Sequence, residues 1–319
     1  MKEKIKTHRA LAIATLIGAV LFFLACLIPE SELKEGASRI PFLILGSIFA
    51  VASVVFWVLL FFANRQKLLE KHNMRQFNRW LKEFEHLTKT AAELVRVVGD
   101  KKKFSKFGGL PVVPPDFEWP TENGKPIPFL LQLDFSEINQ NGNLKNFPIS
   151  GLMYVFVDEF VNEEFEIEHT KKILFFDNAE VLFCADKPIN LQITFDEIFV
   201  VPDFIKTYPD TDDCDEAFDI YCARPHGGMD DGYDSICWEN MERHLVGGWP
   251  SHVQNGGFMK DCRENEDDNW VLLLQIKSEY SKDDDNFMWG DNGVIYIYIR
   301  EKDLITRNFD NIKLDMQCY

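Results

Sequence analysis

The chain has 319 residues, a formal net charge of −17 and seven cysteines. So acidic a balance repels phosphate backbones and argues against nucleic acid as a partner. The cysteines form no Cys-x-x-Cys pair and no Cys/His spacing of a zinc site. A structural zinc is therefore not expected, and in a reducing compartment the thiols are read as free.

In chain order, two apolar stretches come first. Residues 11–28 are eighteen positions without a charge, and residues 40–63 are twenty-four more. Each is long enough to cross a hydrocarbon core of ~30 Å as a helix. The first is not read as a secretory signal, because no small-residue cleavage site follows it cleanly and a second span comes eleven residues later. The pair predicts a transmembrane helical hairpin. Lys2, Lys4, Lys6 and Arg9 precede it, and Arg65, Lys67, Lys71, Arg75 and Arg79 follow it. In the connecting loop Lys34 and Arg39 are offset by Glu30, Glu32 and Glu35. The positive-inside bias places both termini, and the domain that follows, in the cytoplasm.

Residues 64–103 are basic and helix-forming. Phe77, Trp80, Leu81, Phe84, Leu87, Ala91 and Leu94 recur at helical spacing, which predicts an amphipathic helix. It either lies on the anionic inner leaflet or packs on the next domain. Gly99 and the run Lys101, Lys102, Lys103 end it and begin a linker.

Residues 104–319 carry 17 basic and 42 acidic side chains, a net −25. Such a domain suits a basic partner, or simple solubility. It contains an internal echo. The run WVLLLQI at 270–276 matches FLLQL at 129–133 with its glutamine aligned, and GVIYIYI at 293–299 matches GLMYVFV at 151–157. Upstream of each lies a Gly-Gly-x-Pro turn, Gly108-Gly109-Leu110-Pro111 and Gly247-Gly248-Trp249-Pro250. Three matches in one order predict a duplicated unit whose two halves, about 105–200 and 244–319, share a core. The second pair reads as the centre of a sheet: 270–276 as a strand buried on both faces, 294–299 as one with an aliphatic and a tyrosine face. Further strands are expected at 172–176, 181–184 and 191–201, and a helix at 234–244.

Catalytic motifs are absent from the sequence. The Gly-Gly turns lack the spacing of a dinucleotide fingerprint and the Lys-Ser/Thr ending of a phosphate loop, and no Gly-x-Ser-x-Gly elbow occurs. The acidic run 210–216 lacks the glycine and the closing glutamate of a calcium loop. No cofactor, metal or catalytic residue is therefore assigned. His226, His244 and His252 lie in loop-rich stretches and are candidates to meet in one cleft.

The motifs SKFGGLP (105–111), HLVGGWPSHVQ (244–254), MWGDNG (288–293) and the closing LDMQCY (314–319) resemble the YwqG-like family of bacterial proteins. The resemblance covers essentially all of residues 104–319 and implies a β-rich roll with internal duplication. Its molecular function is largely uncharacterised, and some members resemble immunity proteins that neutralise secreted toxins. The membrane hairpin departs from the soluble members. The fold class expected is mainly β, α+β: a duplicated β-rich roll preceded by a two-helix transmembrane hairpin, at the bacterial inner membrane.

Two function classes follow. In one, the domain is a membrane-anchored protein-binding module, an immunity protein whose charge steers a basic toxin to it. Trp249 and Trp289, each beside a repeat turn, are then contact anchors, or else they plug the core between the halves. In the other, a cleft between the repeats binds a small molecule or supports hydrolysis, with His244, His252 and Asp291 supplying polar groups and Gln254 in the same run.

Overall fold

The structure, a computed structural model, describes residues 20, 40–97, 104–161, 167–177, 181–191, 193–223, 230–254, 256, 258–259, 262, 268–280 and 285–318. Two compact units divide the chain, Met1–Arg79 and Trp80–Tyr319. Most of the described part of the first unit is helix α1 (Ile40–Leu81), 42 residues long. Pro41 stands in its first turn, where a fixed φ and a missing N–H cost nothing. The expected first span, 11–28, lies outside the described residues apart from Val20. The expected second span is the leading part of one helix that continues into the basic stretch. Among the described residues no helix is long and apolar enough to cross a membrane, so the predicted hairpin is not found there. Several side chains between 40 and 53 are themselves outside what is described.

The predicted amphipathic helix also ends early. It stops at Leu81, a 3-10 turn covers Lys82–Leu87, and Thr88 closes it with a hydroxyl donating to the Glu85 carbonyl at 2.8 Å. Ala91 and Leu94, which share the helical spacing, instead lie on a strand, where Ala91, Ala92 and Leu94 are buried. An eight-residue ladder and a place in the core override the local pattern.

The second unit is built on β1 (Lys89–Arg96), β2 (Lys106–Phe107), β3 (Val112–Val113), β4 (Thr121–Glu122), β5 (Lys125–Pro126), β6 (Phe129–Asp134), β7 (Leu152–Val161) and β8 (Ile167–Phe176). There follow β9 (Phe183–Cys184), β10 (Ile198–Thr207), β11 (Leu245–Gly247), β12 (Trp270–Lys277), β13 (Glu279–Tyr280), β14 (Asp285–Phe287), β15 (Val294–Arg300) and β16 (Ile312–Gln317). Short helices α2 (Phe135–Ile138), α3 (Asp215–Cys222), α4 (Asp230–Trp238) and α5 (Glu301–Thr306) lie between them. The helix expected at 234–244 thus starts earlier and ends at Trp238, and the strand expected from 191 begins only at Ile198.

Ten strands form one antiparallel sheet in the order β16-β15-β12-β11-β1-β10-β2-β6-β7-β8. Its two ends approach each other, with Phe175 and Phe309 rings 5.2 Å apart and Lys172 Nζ 3.0 Å from Asp310, so the sheet curls to a near-barrel. β12 and β15 are neighbours, as their sequences suggest, but the middle belongs to β1 and β10. β1 crosses over: it precedes the first repeat yet pairs with β11 of the second, while β10 continues from the end of the first repeat, with Ile198 and Phe199 paired to β2 and Val200–Thr207 paired to β1.

Both faces of the sheet are covered. Met153, Val155 and Val157 from β7 and Ile295, Ile297 and Ile299 from β15 share one central core. The alternate residues, Leu152, Tyr154 and Phe156, and Val294, Tyr296 and Tyr298, face two outer clusters, one for each repeat. Period-two alternation separates the aliphatic face from the aromatic one.

Candidate functional site

Each repeat pins its Gly-Gly-x-Pro turn to the sheet with the same pair of side chains. Gln132, buried on β6, accepts from Val112 N at 2.9 Å and donates to Phe104 O at 2.6 Å. Gln275, buried on β12, accepts from Ser251 N at 2.9 Å and donates to Asn240 O at 2.7 Å and Arg243 O at 3.2 Å. Tyr154 donates to Val112 O at 2.7 Å, and Tyr296 to Ser251 O at 2.8 Å. In both repeats the ladder slips at the same place, between Phe129 and Leu131 and between Leu272 and Leu274. The glutamines aligned in the sequence are therefore structural pins, which satisfy buried backbone groups.

The six candidate residues do not gather. His244 lies against Phe107, ring centroids 4.6 Å apart, on the central-core side, and its Nε2 meets Glu279 Oε2 at 3.0 Å. Burial pushes His244 below the ordinary histidine value, only partly opposed by Glu279. The hydrogen bond from His244, helped by Lys277, holds the Glu279 carboxyl down at about 2 against its own burial. The pair is a neutral imidazole donating to a carboxylate. His252 belongs to the outer cluster, 5.4 Å from the Tyr296 ring, with Nε2 2.6 Å from Asp213 Oδ2 and both side chains almost fully buried. Burial alone would lower His252, but the bond to Asp213 and the charges of Asp213, Asp210 and Asp315 raise it. The bond to Asp213 is thus what favours the protonated form of His252 against its burial.

Gln254 ties its loop to the C-terminal strand: its amide donates to Cys318 O at 2.6 Å, and Gln317 Oε1 accepts from its backbone N at 3.0 Å. Trp289 is 3 % exposed, and its backbone N donates to Ser278 Oγ, which donates to Gly293 O. The Trp-Gly-Asp-Asn-Gly run is thus a pinned turn, with Asp291 exposed at its tip. Trp249 is 8 % exposed, and its indole N–H donates to Leu87 O at 2.7 Å. Both tryptophans are thus largely buried. His226 lies outside the described residues.

One candidate does line a hollow. Between the halves is a cavity of about 500 Å³, walled by Trp249, Gly248 and Val271 of the second repeat, Lys145, Asn146 and Phe147 of the first, and Lys89 and Thr90 of β1. Lys89 Nζ stands 3.5 Å over the Trp249 ring. Glu301 closes one side, accepting from Asn146 Nδ2 and Asn269 Nδ2, each at 2.7 Å. Gly248 is required here: its φ is +82°, and a Cβ would lie 2.6 Å from Ala91 Cβ. The equivalent turn of the first repeat is packed as closely. Gly109 N donates to Phe195 O at 2.9 Å, and a Cβ on Gly108 would lie 2.2 Å from Asp196 O. A second hollow of about 470 Å³ lies beside Lys125, Asp158 and Asn190.

Lys89, Lys145, Asn146, Asn269 and Glu301 escaped sequence reasoning. They are spread over more than 200 residues, share no motif, and are joined only by the crossing of β1 into the second half. Among the described residues no group of three His, Cys, Asp or Glu stands where it could hold a metal ion. The cleft has the size and mixed lining of a binding site. No curated protein matches the chain. Residues 105–318, which hold both repeats, match the family described as Domain of unknown function (DUF1963), and the chain belongs to that family.

Proposed function

We propose that the domain is a non-catalytic binding module that takes a small ligand in the cleft between its repeats. The observation that carries this reading is the asymmetry of the two turns. Both are packed against the chain, and the second in addition borders a cavity of about 500 Å³. Hydrolysis is not assigned, because the His252–Asp213 pair is sealed and His244 is committed to Glu279. The motif resemblance supports placing the chain among the YwqG-like members of its family. The uncharged stretch 40–63 and the exposed side chains of Val51, Val54, Leu59 and Phe61 support a tether to the bacterial inner membrane. The domain then faces the cytoplasm, as the basic flanks of the apolar stretches suggest.

A second reading is retained on one observation, the net −25 of residues 104–319, which would steer a basic toxin to an immunity protein. The test compares the purified full-length protein with a Thr90→Trp variant, which fills the cleft from an exposed strand position. A metabolite panel is expected to raise the melting temperature of the first and not the second. A ligand that stabilises both equally binds elsewhere and sinks the cleft reading. Capture of a basic toxin with unchanged affinity in Thr90→Trp would favour the second reading.

A further inference from the structure

Resting on the membrane-tether reading, we infer that Arg65, Lys67 and Lys71 of α1 hold the anionic headgroups of membrane lipids, phosphate diesters of the phosphatidylglycerol kind. Helix α1 runs unbroken from Ile40 to Leu81. Before Asn64 it sets large apolar side chains outward, among them Val54, Trp57, Leu59, Phe61 and Phe62, all exposed. Two residues after Ala63 the chemistry reverses. Residues 64–79 hold Arg65, Lys67, Lys71, Arg75 and Arg79 against Glu70 as their one acidic residue. All five cations are exposed, and among the described residues no carboxylate pairs with them.

Helix geometry decides which cations reach a lipid surface. Residues four apart stand nearly one above another, so Lys67, Lys71, Arg75 and Arg79 form a row along the axis. At ~1.5 Å per residue, Lys67 lies ~6 Å beyond Ala63, Lys71 ~12 Å, Arg75 ~18 Å and Arg79 ~24 Å. The headgroup layer is about 5–8 Å thick, and its charge is felt for about 8 Å more. Arg65, Lys67 and Lys71 therefore stand within reach, and Arg75 and Arg79 beyond it. An ordinary tilt of about 20° scarcely changes these heights. Exposed apolar side chains followed at once by exposed cations, on one continuous helix, match hydrocarbon followed by phosphate. An acidic protein surface would match the cations alone.

For the test, the full-length protein in neutral detergent is offered phosphatidylglycerol and phosphatidylcholine in equal amounts, and the lipids retained are counted by native mass spectrometry. Phosphatidylglycerol is expected to be preferred. That preference is expected to fall about fivefold in each of Arg65→Gln, Lys67→Gln and Lys71→Gln, to survive in Lys67→Arg, and to stay unchanged in Arg75→Gln and Arg79→Gln. All five positions are exposed on the helix, so these variants read charge without disturbing a core. A preference undiminished when Arg65, Lys67 and Lys71 are replaced together would put the lipid elsewhere and overturn the inference. Equal losses at Arg75 and Arg79 would overturn it as well, because charge alone would then act without the headgroup layer. The two lipids binding alike would overturn the headgroup site and leave the tether standing. Retention of neither would overturn the tether and the inference with it.

Discussion

In the first repeat the Gly-Gly-Leu-Pro turn is covered by residues 195–197, with Gly109 bonded to the Phe195 carbonyl. In the second, the Gly-Gly-Trp-Pro turn keeps the same glutamine and tyrosine pins, packs on Ala91, Phe147 and Thr207, and also borders a cavity. The scaffold is common to the halves, and what differs is the chain laid over it. The two halves thus carry equivalent turns, and the chain packed on each differs: residues 195–197 on the first, Ala91, Phe147 and Thr207 on the second.

The comparison breaks most sharply at Asp213, which seals the outer face of the second half. Asp213→Ala would strand His252 buried and is expected to cost about 3–5 kcal/mol, read from denaturant unfolding followed by tryptophan fluorescence. A loss below about 1 kcal/mol would mean that the pair does not hold that face. The glutamine pins come next. Gln275→Leu and Gln132→Leu should each cost about 2–3 kcal/mol by orphaning buried backbone groups. The larger loss is expected at Gln275, which makes three bonds against two at Gln132. A neutral result at either position would show that the two pins are not equivalent. Smaller still, Tyr154→Phe and Tyr296→Phe should each lose about 1 kcal/mol, and unequal losses would reveal a turn held by other means.

The pH dependence sets the two buried histidines of the second half against each other. His252 is raised in the folded state, so its contribution is fully present below its unfolded value of ~6.5 and is lost as pH rises through the higher folded value. His244 is lowered, so its contribution is present above ~6.5 and is lost as pH falls through the lower folded value. Glu279, held at about 2, adds stability above its ordinary value that fades as pH falls toward about 2. Unfolding midpoints measured from pH 5 to 9 should show the alkaline loss in the native protein and not in Asp213→Asn. An alkaline loss that persists in that variant belongs to another group.

Much of the scaffold was legible along the chain, because strand faces are written in nearest-neighbour alternation. Tyr296 and Tyr298 face one cluster and Ile295, Ile297 and Ile299 another, as their spacing predicts. The aligned glutamines mark a shared architecture for the same reason: a polar side chain inside an apolar run must find partners. The site was scarcely legible. Trp249 was singled out for its turn and does line the cleft, but His244, His252 and Asp291 go to three different places. Lys89, inside the stretch 64–103 expected to be helical, is the first residue of a central strand.

By itself the sequence determined the repeat, the alternating strands and the glycine turns, all of which depend on residues close together in the chain. The tertiary structure alone decided that β1 crosses to the second half, that residues 195–197 cover one turn, and that Lys89, Lys145 and Glu301 meet around the other. Those outcomes depend on contacts between residues far apart in sequence, where packing and burial outweigh local preference.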